Sequence, residues 1–283
     1  MVCQSTETPA DQSIGVLNGI SRVCATAGIE PSAIDHVMHG TTVATNTVLT
    51  GTGAKCGLVT TKGYRQVLQI ARSYVPGGLG GWVIYNKSLP MAALACTIEA
   101  DERVSARGEV VDKLDEAKLR RDLQSLKKQN IEALTVCLIN SFANDKHERR
   151  IKAIAIEEMP DIPVSLSSEV VPEMQEYERT VTTVANSYVR PRVAKYVKNI
   201  KAKVEQKADK IKLHILRSDG GLASAASSEK VSGQFADVRS CRWCHRCGVG
   251  GAAVRLSKFA DGRRGWYVDR RRADPERRTA AAP

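Results

Sequence analysis

The feature that most constrains the fold is a repeated order of apolar strand, polar turn and helix-like segment. Residues 34–38 form an apolar run, a Gly/Thr turn follows at 39–42, and residues 44–49 can continue as a helix. The same order recurs at 55–71, where an apolar run ends in Thr-Thr-Lys-Gly before a second helix-like segment. Strands joined by helical crossovers are typical of parallel sheets. The sequence therefore predicts an α/β chain with a largely parallel sheet, whose ligands bind at the carboxyl ends of the strands.

The remaining segments continue this alternation over most of the chain. Apolar residues at helical or strand spacing predict helices at 13–27, 114–129 and 145–159 and strands at 131–139, 164–167 and 212–217. Three further features are a hairpin formed by 97–104 and 109–111, a glycine-rich loop at 76–82, and a long helix at 173–207 that is broken or kinked at Pro191.

Composition indicates a globular chain. Of the 283 residues, 42% are hydrophobic, which is enough to bury the core of one large domain or two. No apolar run approaches the roughly 20 residues of a membrane span, and the first residues lack the basic and apolar segments of a signal peptide. These features predict a cytoplasmic protein without a membrane partner. Five scattered cysteines, several of them inside apolar runs, fit reduced core thiols.

Two polar turns fall at predicted carboxyl ends of strands. Such turns offer backbone N–H groups and hydroxyls at the positive end of a helix, which suit a phosphate, a carboxylate or a polarised carbonyl oxygen. The candidate residues are His39, Thr41 and Thr42 in the first turn, Asn46 on the helix that follows it, and Ser218, Asp219, Gly220 and Gly221 in the second turn.

Each candidate also has a purely structural interpretation. The first turn is equally that of an ordinary capped helix, and Asp219-Gly220 is a common turn dipeptide. Arg179, a further candidate on the predicted long helix, could pair with Glu176 or Glu178 on a solvated face. From residue types alone both interpretations stay open.

Four linked motifs give the chain a more specific signature. They are HGTTVATN at 39–46, GLVTTKGY at 57–64, EYERT at 176–180 with YVRP at 188–191, and SDGGL at 218–222. Through these motifs and their order, residues 14–232 resemble the hydantoinase A/oxoprolinase family. The resemblance implies a partial actin-like (RNase H-like) ATPase fold and ATP-dependent opening of a cyclic amide such as a hydantoin or oxoproline.

The resemblance also implies cofactors, partners and residue roles. ATP with Mg²⁺ is the implied cofactor of an intact member, no other metal is expected, and a B-type hydantoinase subunit is the implied partner. Related subunits serve in acetone-type carboxylases. The implied catalytic residues are His39, Thr41, Thr42 and Arg179, and the substrate or nucleotide cleft would contain Asn46, Ser218, Asp219, Gly220 and Gly221.

ATP is chemically reasonable for such a reaction. An unstrained lactam is stabilised by resonance and its carbonyl carbon is a poor electrophile. Phosphorylation of the lactam oxygen would make that oxygen a leaving group, provided that cations and N–H groups stabilise the developing charge.

The resemblance divides the chain into four parts. Residues 1–40 would be a remnant of a first lobe, 41–207 the N-terminal region, 208–234 the start of the hydantoinase A core domain, and 235–283 a disordered tail. A first phosphate loop of the form GGTFTD is expected before the present start of the chain, and a second loop, GGTSTD, is expected within the tail. We therefore expect a fragment truncated at its N-terminus that is inactive by itself.

A shift of reading frame near Gln234 accounts for the tail. Reading residues 235–250 one nucleotide later permits a string containing SGPAGG, and the same shift over 265–276 permits GGTSTD. The single tryptophan codon followed by the first base of Cys244 or Tyr267 forces a glycine in the shifted frame both times. Both strings resemble family segments at the expected places, so we expect residues 235–283 to be translated out of frame.

The tail also permits two competing interpretations. Cys241, Cys244, His245 and Cys247 could form a zinc knuckle, although one short run wraps four tetrahedral ligands poorly. The residues from Phe235 onward hold twelve Lys/Arg against five Asp/Glu, which could bind nucleic acid, although the out-of-frame interpretation is favoured. A further alternative is that the body of the chain is a non-catalytic scaffold for a partner subunit.

Overall fold

The computed structural model describes residues 12–30, 33–71, 89–207, 211–216, 222–224, 254–258 and 264–268. The helices are α1 (Gln12–Ala27), α2 (Val43–Leu49), α3 (Val67–Ile70), α4 (Glu116–Lys127), α5 (Lys146–Glu158), α6 (Ser167–Val170) and α7 (Glu176–Lys207), with a short 3₁₀ helix at Leu94–Cys96. The strands are β1 (His36–Gly40), β2 (Cys56–Thr61), β3 (Thr97–Ala100), β4 (Arg103–Val104), β5 (Val110–Asp112), β6 (Ala133–Cys137), β7 (Val164–Leu166), β8 (Lys212–Leu216), β9 (Leu222–Ser224), β10 (Val254–Lys258) and β11 (Arg264–Val268).

The larger sheet is entirely parallel and has the strand order β3-β2-β6-β7. All residues of β2, β6 and β7 are buried, because helices cover both faces. Alternate strand residues point to opposite faces, so that Val59 packs with the apolar side chains of α4 and α5 while Leu58 packs towards α7. Asp115 fixes the start of α4, since its carboxylate accepts the backbone N–H of Lys118 at 2.9 Å. The predicted α/β alternation is confirmed here.

The smaller sheet places the carboxyl ends of β1 and β8 at one edge. β1 and β8 are parallel, with Gly40 opposite Leu216, and β9 returns antiparallel to β8. The carboxyl ends of β1 and β8 therefore lie side by side, as the α/β pattern predicted. The core beneath this sheet combines Val37 and Ile215 with side chains from α1, α2 and the second half of α7.

Helix α7 connects the two sheets. Its 32 residues extend about 48 Å at 1.5 Å per residue. Val184 packs in the core of the larger sheet, whereas Val193 and Val197 pack in the core of the smaller one. Of the two outcomes predicted for Pro191, the break is wrong, because α7 continues through this residue, and the kink stays a prediction. A proline removes one backbone hydrogen bond, and the buried side chains on both sides of it hold the helix together.

Other predicted segments differ in detail from the structure. Residues 97–104 do not form one hairpin arm: β3 joins the parallel sheet, and the hairpin consists of β4 with β5. In the tail, the described residues form β10 and β11, which pair antiparallel; the expected disorder of the tail stays a prediction. The glycine-rich loop at 76–82 lies outside the described residues. Among the helices in the described ranges, none has the length and apolarity needed to cross a bilayer.

Candidate functional site

The first candidate site is the turn between β1 and α2. The Thr41 hydroxyl oxygen accepts the backbone N–H of Val43 at 3.2 Å, so Thr41 holds the turn. The Thr42 side chain makes no capping bond to the helix and is exposed. Asn46 is also exposed, and its Nδ2 lies 3.5 Å from the Thr42 hydroxyl. Thr42 and Asn46 therefore retain polar atoms with which a ligand could form hydrogen bonds.

His39 lies at the end of β1, directly before this turn. Its Nε2 is 2.9 Å from the hydroxyl of Tyr196, which reaches it from α7. The ring is partly buried, and this burial lowers the pKa of His39 to about 4. His39 is consequently neutral near pH 7, and a neutral imidazole provides one donor and one acceptor nitrogen.

A pair of histidines joins β1 and β8 near the start of β1. Nδ1 of His36 lies 3.0 Å from Nε2 of His214, and the two rings are stacked. Burial is the main cause that lowers the pKa of His214, and the nearby His36 and Lys212 lower it further by charge repulsion. The contact links the first residue of β1 to the middle of β8.

The second candidate turn follows β8. Ser218, Asp219, Gly220 and Gly221 lie outside the described residues, although the strands before and after them are described. Because Leu216 is opposite Gly40, this turn starts from the strand next to His39. The strand positions are compatible with one composite site, and the role of these four residues stays a prediction.

Arg179 lies elsewhere in the molecule. It precedes Tyr196 by 17 positions on α7, which corresponds to about 25 Å along the helix axis. Its fully buried guanidinium donates to the backbone oxygens of Leu138 at 2.6 Å and Glu173 at 3.0 Å, and lies over the Phe142 ring. The structure thus does not bring Arg179 together with His39. A solvated ion pair of Arg179 with Glu176 or Glu178 is excluded, because the Arg179 side chain is buried.

Sequence reasoning missed a buried polar network at the carboxyl edge of the larger sheet. Glu148 of α5 is fully buried, and its Oε1 accepts the Leu138 backbone N–H at 3.0 Å and the Ser167 hydroxyl at 2.6 Å. Its Oε2 accepts the backbone N–H and the hydroxyl of Ser168 at 2.9 and 2.7 Å. This carboxylate therefore ties the end of β6 to the start of α6.

A neighbouring pair continues the network. Nδ1 of His147 is 2.7 Å from Oε2 of Glu102, and the Thr61 hydroxyl donates to the same carboxylate. The Thr61 oxygen also accepts the Ile139 backbone N–H at 3.0 Å, which joins the ends of β2 and β6. The sequence does contain a signal for this network. His147 and Glu148 share one face of α5 with the apolar residues 151, 154 and 155, and this helical spacing predicts that both polar side chains face the core. Across the described ranges, no three His, Cys, Asp or Glu side chains are grouped to hold a metal ion.

The two polar regions differ in chemical capacity. The network around Glu148 has its oxygens occupied and its carboxylate buried, so it serves the fold. The turn at β1 instead combines a neutral imidazole with exposed hydroxyl and amide groups. Uncharged hydrogen-bond donors of this kind can polarise the carbonyl oxygen of a neutral substrate.

Two family models match the chain. The model described as "Hydantoinase/oxoprolinase N-terminal region" matches residues 2–159, and the model described as "Hydantoinase/oxoprolinase" matches residues 179–238. Together they contain both strands of the candidate site and all of α7 after residue 178. The match to the N-terminal model alone covers more than half of the chain.

Individual proteins show the same likeness. The chain is 29% identical over 224 residues to the caprolactamase subunit alpha of Pseudomonas jessenii, covering 78% of this chain and 32% of that protein. It is 32% identical over 204 residues to the acetophenone carboxylase gamma subunit of Aromatoleum aromaticum, covering 67% of this chain and 28% of that protein. The chain thus spans about a third of the length of these relatives.

A solved structure supports the fold. The crystal structure of the ATP-dependent caprolactamase from Pseudomonas jessenii aligns with a TM-score of 0.72 at 24% identity, over 93% of this chain and 44% of that one. The partial actin-like α/β fold that the motifs implied is confirmed by this likeness.

Proposed function

Because the chain belongs to the hydantoinase/oxoprolinase family, we propose that it forms part of a subunit of an ATP-dependent enzyme that opens a cyclic amide. The observation that carries this proposal is the neutral His39 beside exposed Thr42 and Asn46 at the carboxyl edge of the smaller sheet. The substrate class is a hydantoin, oxoproline or another lactam.

In this proposal the β1–α2 turn binds the amide carbonyl of the substrate. His39 donates a hydrogen bond to the carbonyl oxygen, and Thr42 and Asn46 orient the ring, while Thr41 keeps the turn in place through its bond to Val43. Hydrogen-bond donors placed where negative charge develops stabilise the transition state for attack on a carbonyl. The residues Ser218, Asp219, Gly220 and Gly221 would complete the site from the adjacent strand. Arg179 is not part of this site and supports the end of β6 instead.

ATP with Mg²⁺ is the cofactor proposed for the complete enzyme. The described residues do not by themselves fit this group, since no three of their His, Cys, Asp or Glu side chains are grouped around a possible metal position. Glycine-rich loops of the GGTFTD and GGTSTD forms are also absent from the chain as it stands. We therefore assign no step of nucleotide chemistry to residues of this chain.

A partner subunit is proposed on the same basis. Two of the relatives are named as subunits, namely the caprolactamase alpha subunit and the acetophenone carboxylase gamma subunit. We propose a B-type hydantoinase subunit as the partner. Joint purification of the two chains after co-expression would support this, whereas separate elution at micromolar concentrations would contradict it.

The shift of reading frame near Gln234 also stays a proposal. The second family match ends at residue 238, close to the proposed position, which supports it. Resequencing of the coding DNA across codons 231–241 provides the test. An insertion or deletion followed by an open frame encoding GGTSTD is expected, and a confirmed frame together with an intact mass of 30.8 kDa would overturn it.

The function is tested in the complete protein with its partner subunit. We expect hydantoin, oxoproline or caprolactam to be opened only when ATP is present, with ADP formed in proportion to product. The 283-residue chain alone is expected to be inactive. Absence of ATP-dependent ring opening by the complete assembly, with all three substrates, would refute the proposed function.

The role of His39 has its own test. His39→Ala is expected to lower kcat by at least about 100-fold, which is the usual effect of removing such a donor. His36→Asn is the matched control, since it changes a histidine on the same strand that contacts His214 rather than Tyr196. Full activity of His39→Ala with an unchanged fold would remove His39 from the site.

A carboxylase subunit is the second candidate function. The 32% identity to the acetophenone carboxylase gamma subunit favours it. The same assembly incubated with ATP, bicarbonate and a ketone distinguishes the two, because only a carboxylase would incorporate labelled bicarbonate into an acid-stable product.

A further inference from the structure

We propose that Tyr196 is a positioning residue whose hydroxyl donates to Nε2 of His39 and thereby keeps the proton of the neutral imidazole on Nδ1. The Nδ1–H is then the group offered to the amide oxygen of the substrate. This use of the proton rests on the function proposed above, while the positioning itself does not.

The contact between the two side chains is polar. The Tyr196 oxygen lies 2.9 Å from Nε2, and the ring centroids are 5.9 Å apart at an interplanar angle of 48°. The rings therefore meet through a hydrogen bond rather than by stacking. Within the described part of the chain, this is the one hydrogen bond of the His39 ring, so Nδ1 is the nitrogen left for another partner.

Chemistry favours one direction for this hydrogen bond. A phenol O–H is a stronger acid than the N–H of a neutral imidazole, and the unprotonated imidazole nitrogen is a better acceptor than a phenol oxygen. Tyr196 is thus the donor and Nε2 the acceptor. The proton of the ring consequently resides on Nδ1, although a neutral histidine in water prefers to carry it on Nε2.

Both partners are held by rigid elements. His39 pairs in register with Ile215 of β8, which is fully buried. Tyr196 is flanked on α7 by Val193 and Val197, which are at most 1% exposed. A donor fixed in this way loses little entropy when it meets a substrate, which is the advantage of a preorganised site.

The neutral state of His39 suits this role. Because burial disfavours the imidazolium, the ring can donate from Nδ1 while remaining uncharged near pH 7. A neutral imidazole that polarises a carbonyl group is an established catalytic device. An imidazolium in the same place would instead attract any anion, because its positive charge does not require the geometry of a carbonyl group.

The test compares Tyr196→Phe with Tyr188→Phe by ¹⁵N NMR of the histidine rings in the 283-residue chain. Tyr188 is on the same helix and rests against Gly53, and its hydroxyl makes no hydrogen bond with the described residues. We expect His39 to carry its proton on Nδ1 in the parent chain and in Tyr188→Phe. In Tyr196→Phe the tautomer ratio should move about 5- to 10-fold towards Nε2–H, as loss of one hydrogen bond predicts.

A kinetic measurement in the complete enzyme tests the catalytic use. Tyr196→Phe is expected to lower kcat at least about 10-fold with KM changed less than about twofold, while Tyr188→Phe leaves both unchanged. An Nε2–H tautomer in the parent chain, or no change in Tyr196→Phe, would overturn the positioning role. A tautomer shift without a fall in kcat would overturn its catalytic use. If the complete enzyme opens no cyclic amide, the NMR comparison still decides the positioning role.

Discussion

Replacement of Glu148 by glutamine tests whether one buried carboxylate holds the edge of the larger sheet. Glutamine has nearly the same shape, so the core around it keeps its volume. Its amide, however, carries N–H donors in place of one oxygen. At present the two carboxylate oxygens accept four hydrogen bonds, two of them from the backbone N–H groups of Leu138 and Ser168.

The magnitude follows from which donor loses its acceptor. The amide nitrogen is expected to face Ser168, because its backbone N–H is only partly buried and its hydroxyl can rotate to accept. That N–H then lacks a partner, which costs about 1–3 kcal/mol, and the bonds to Leu138 and Ser167 lose the benefit of the charge. We expect the free energy of unfolding to fall by about 2–4 kcal/mol.

Urea unfolding at pH 7 followed by far-UV circular dichroism measures this change. Glu157→Gln is the matched control, since it lies on the same helix, is half exposed and pairs with Arg120 at the surface. The control should change stability by less than about 1 kcal/mol. A loss in Glu148→Gln no larger than in the control, with equal m-values, would refute the account of the buried network.

Two further predictions concern other parts of the chain. The pKa of His39 is lowered to about 4 in the folded state, so the unfolded state takes up the proton first and the free energy of unfolding falls by at most about 3 kcal/mol as the pH drops from about 6.5 to 4. Urea unfolding across this range should show a weaker dependence of stability on pH in His39→Gln. An identical dependence in the variant would contradict the lowered pKa. In Gly53→Ala the new methyl group would overlap the Tyr188 ring, which should lower the free energy of unfolding by about 1–3 kcal/mol. The methyl group of Gly19→Ala, inside α1, meets open space and should raise the free energy of unfolding by up to about 1 kcal/mol. Equal effects of the two substitutions in thermal unfolding would contradict this difference.

Local patterns were sufficient for much of the fold. Strands and helices leave apolar spacings of 2 and 3.6 residues, and these spacings located most elements of both sheets to within a few residues. The turn after β1 could also be found from sequence, since a polar Gly/Thr segment after an apolar run marks the end of a buried strand. Its position beside the end of β8 followed from the α/β pattern, because parallel strands end at the same edge.

The failures involved contacts between distant parts of the chain. Pro191 is a helix breaker by its covalent structure, yet α7 continues through it because two cores pack against the helix on either side. The sequence predicts the helix at 145–159 but does not identify Glu148 as a fully buried residue, because its burial depends on how α5 packs against the sheet. Arg179 looked like a site residue, but its position on α7 takes it to the other sheet.

The sequence by itself determined the α/β class, the family and the residues of the β1–α2 turn, because periodicity, motif order and turn chemistry are carried by neighbouring residues. The tertiary structure alone decided which groups surround that turn. Tyr196 meets His39 across 157 positions of sequence, and burial of the ring sets its charge. Such partnerships depend on how a helix packs against a sheet, so no local pattern encodes them.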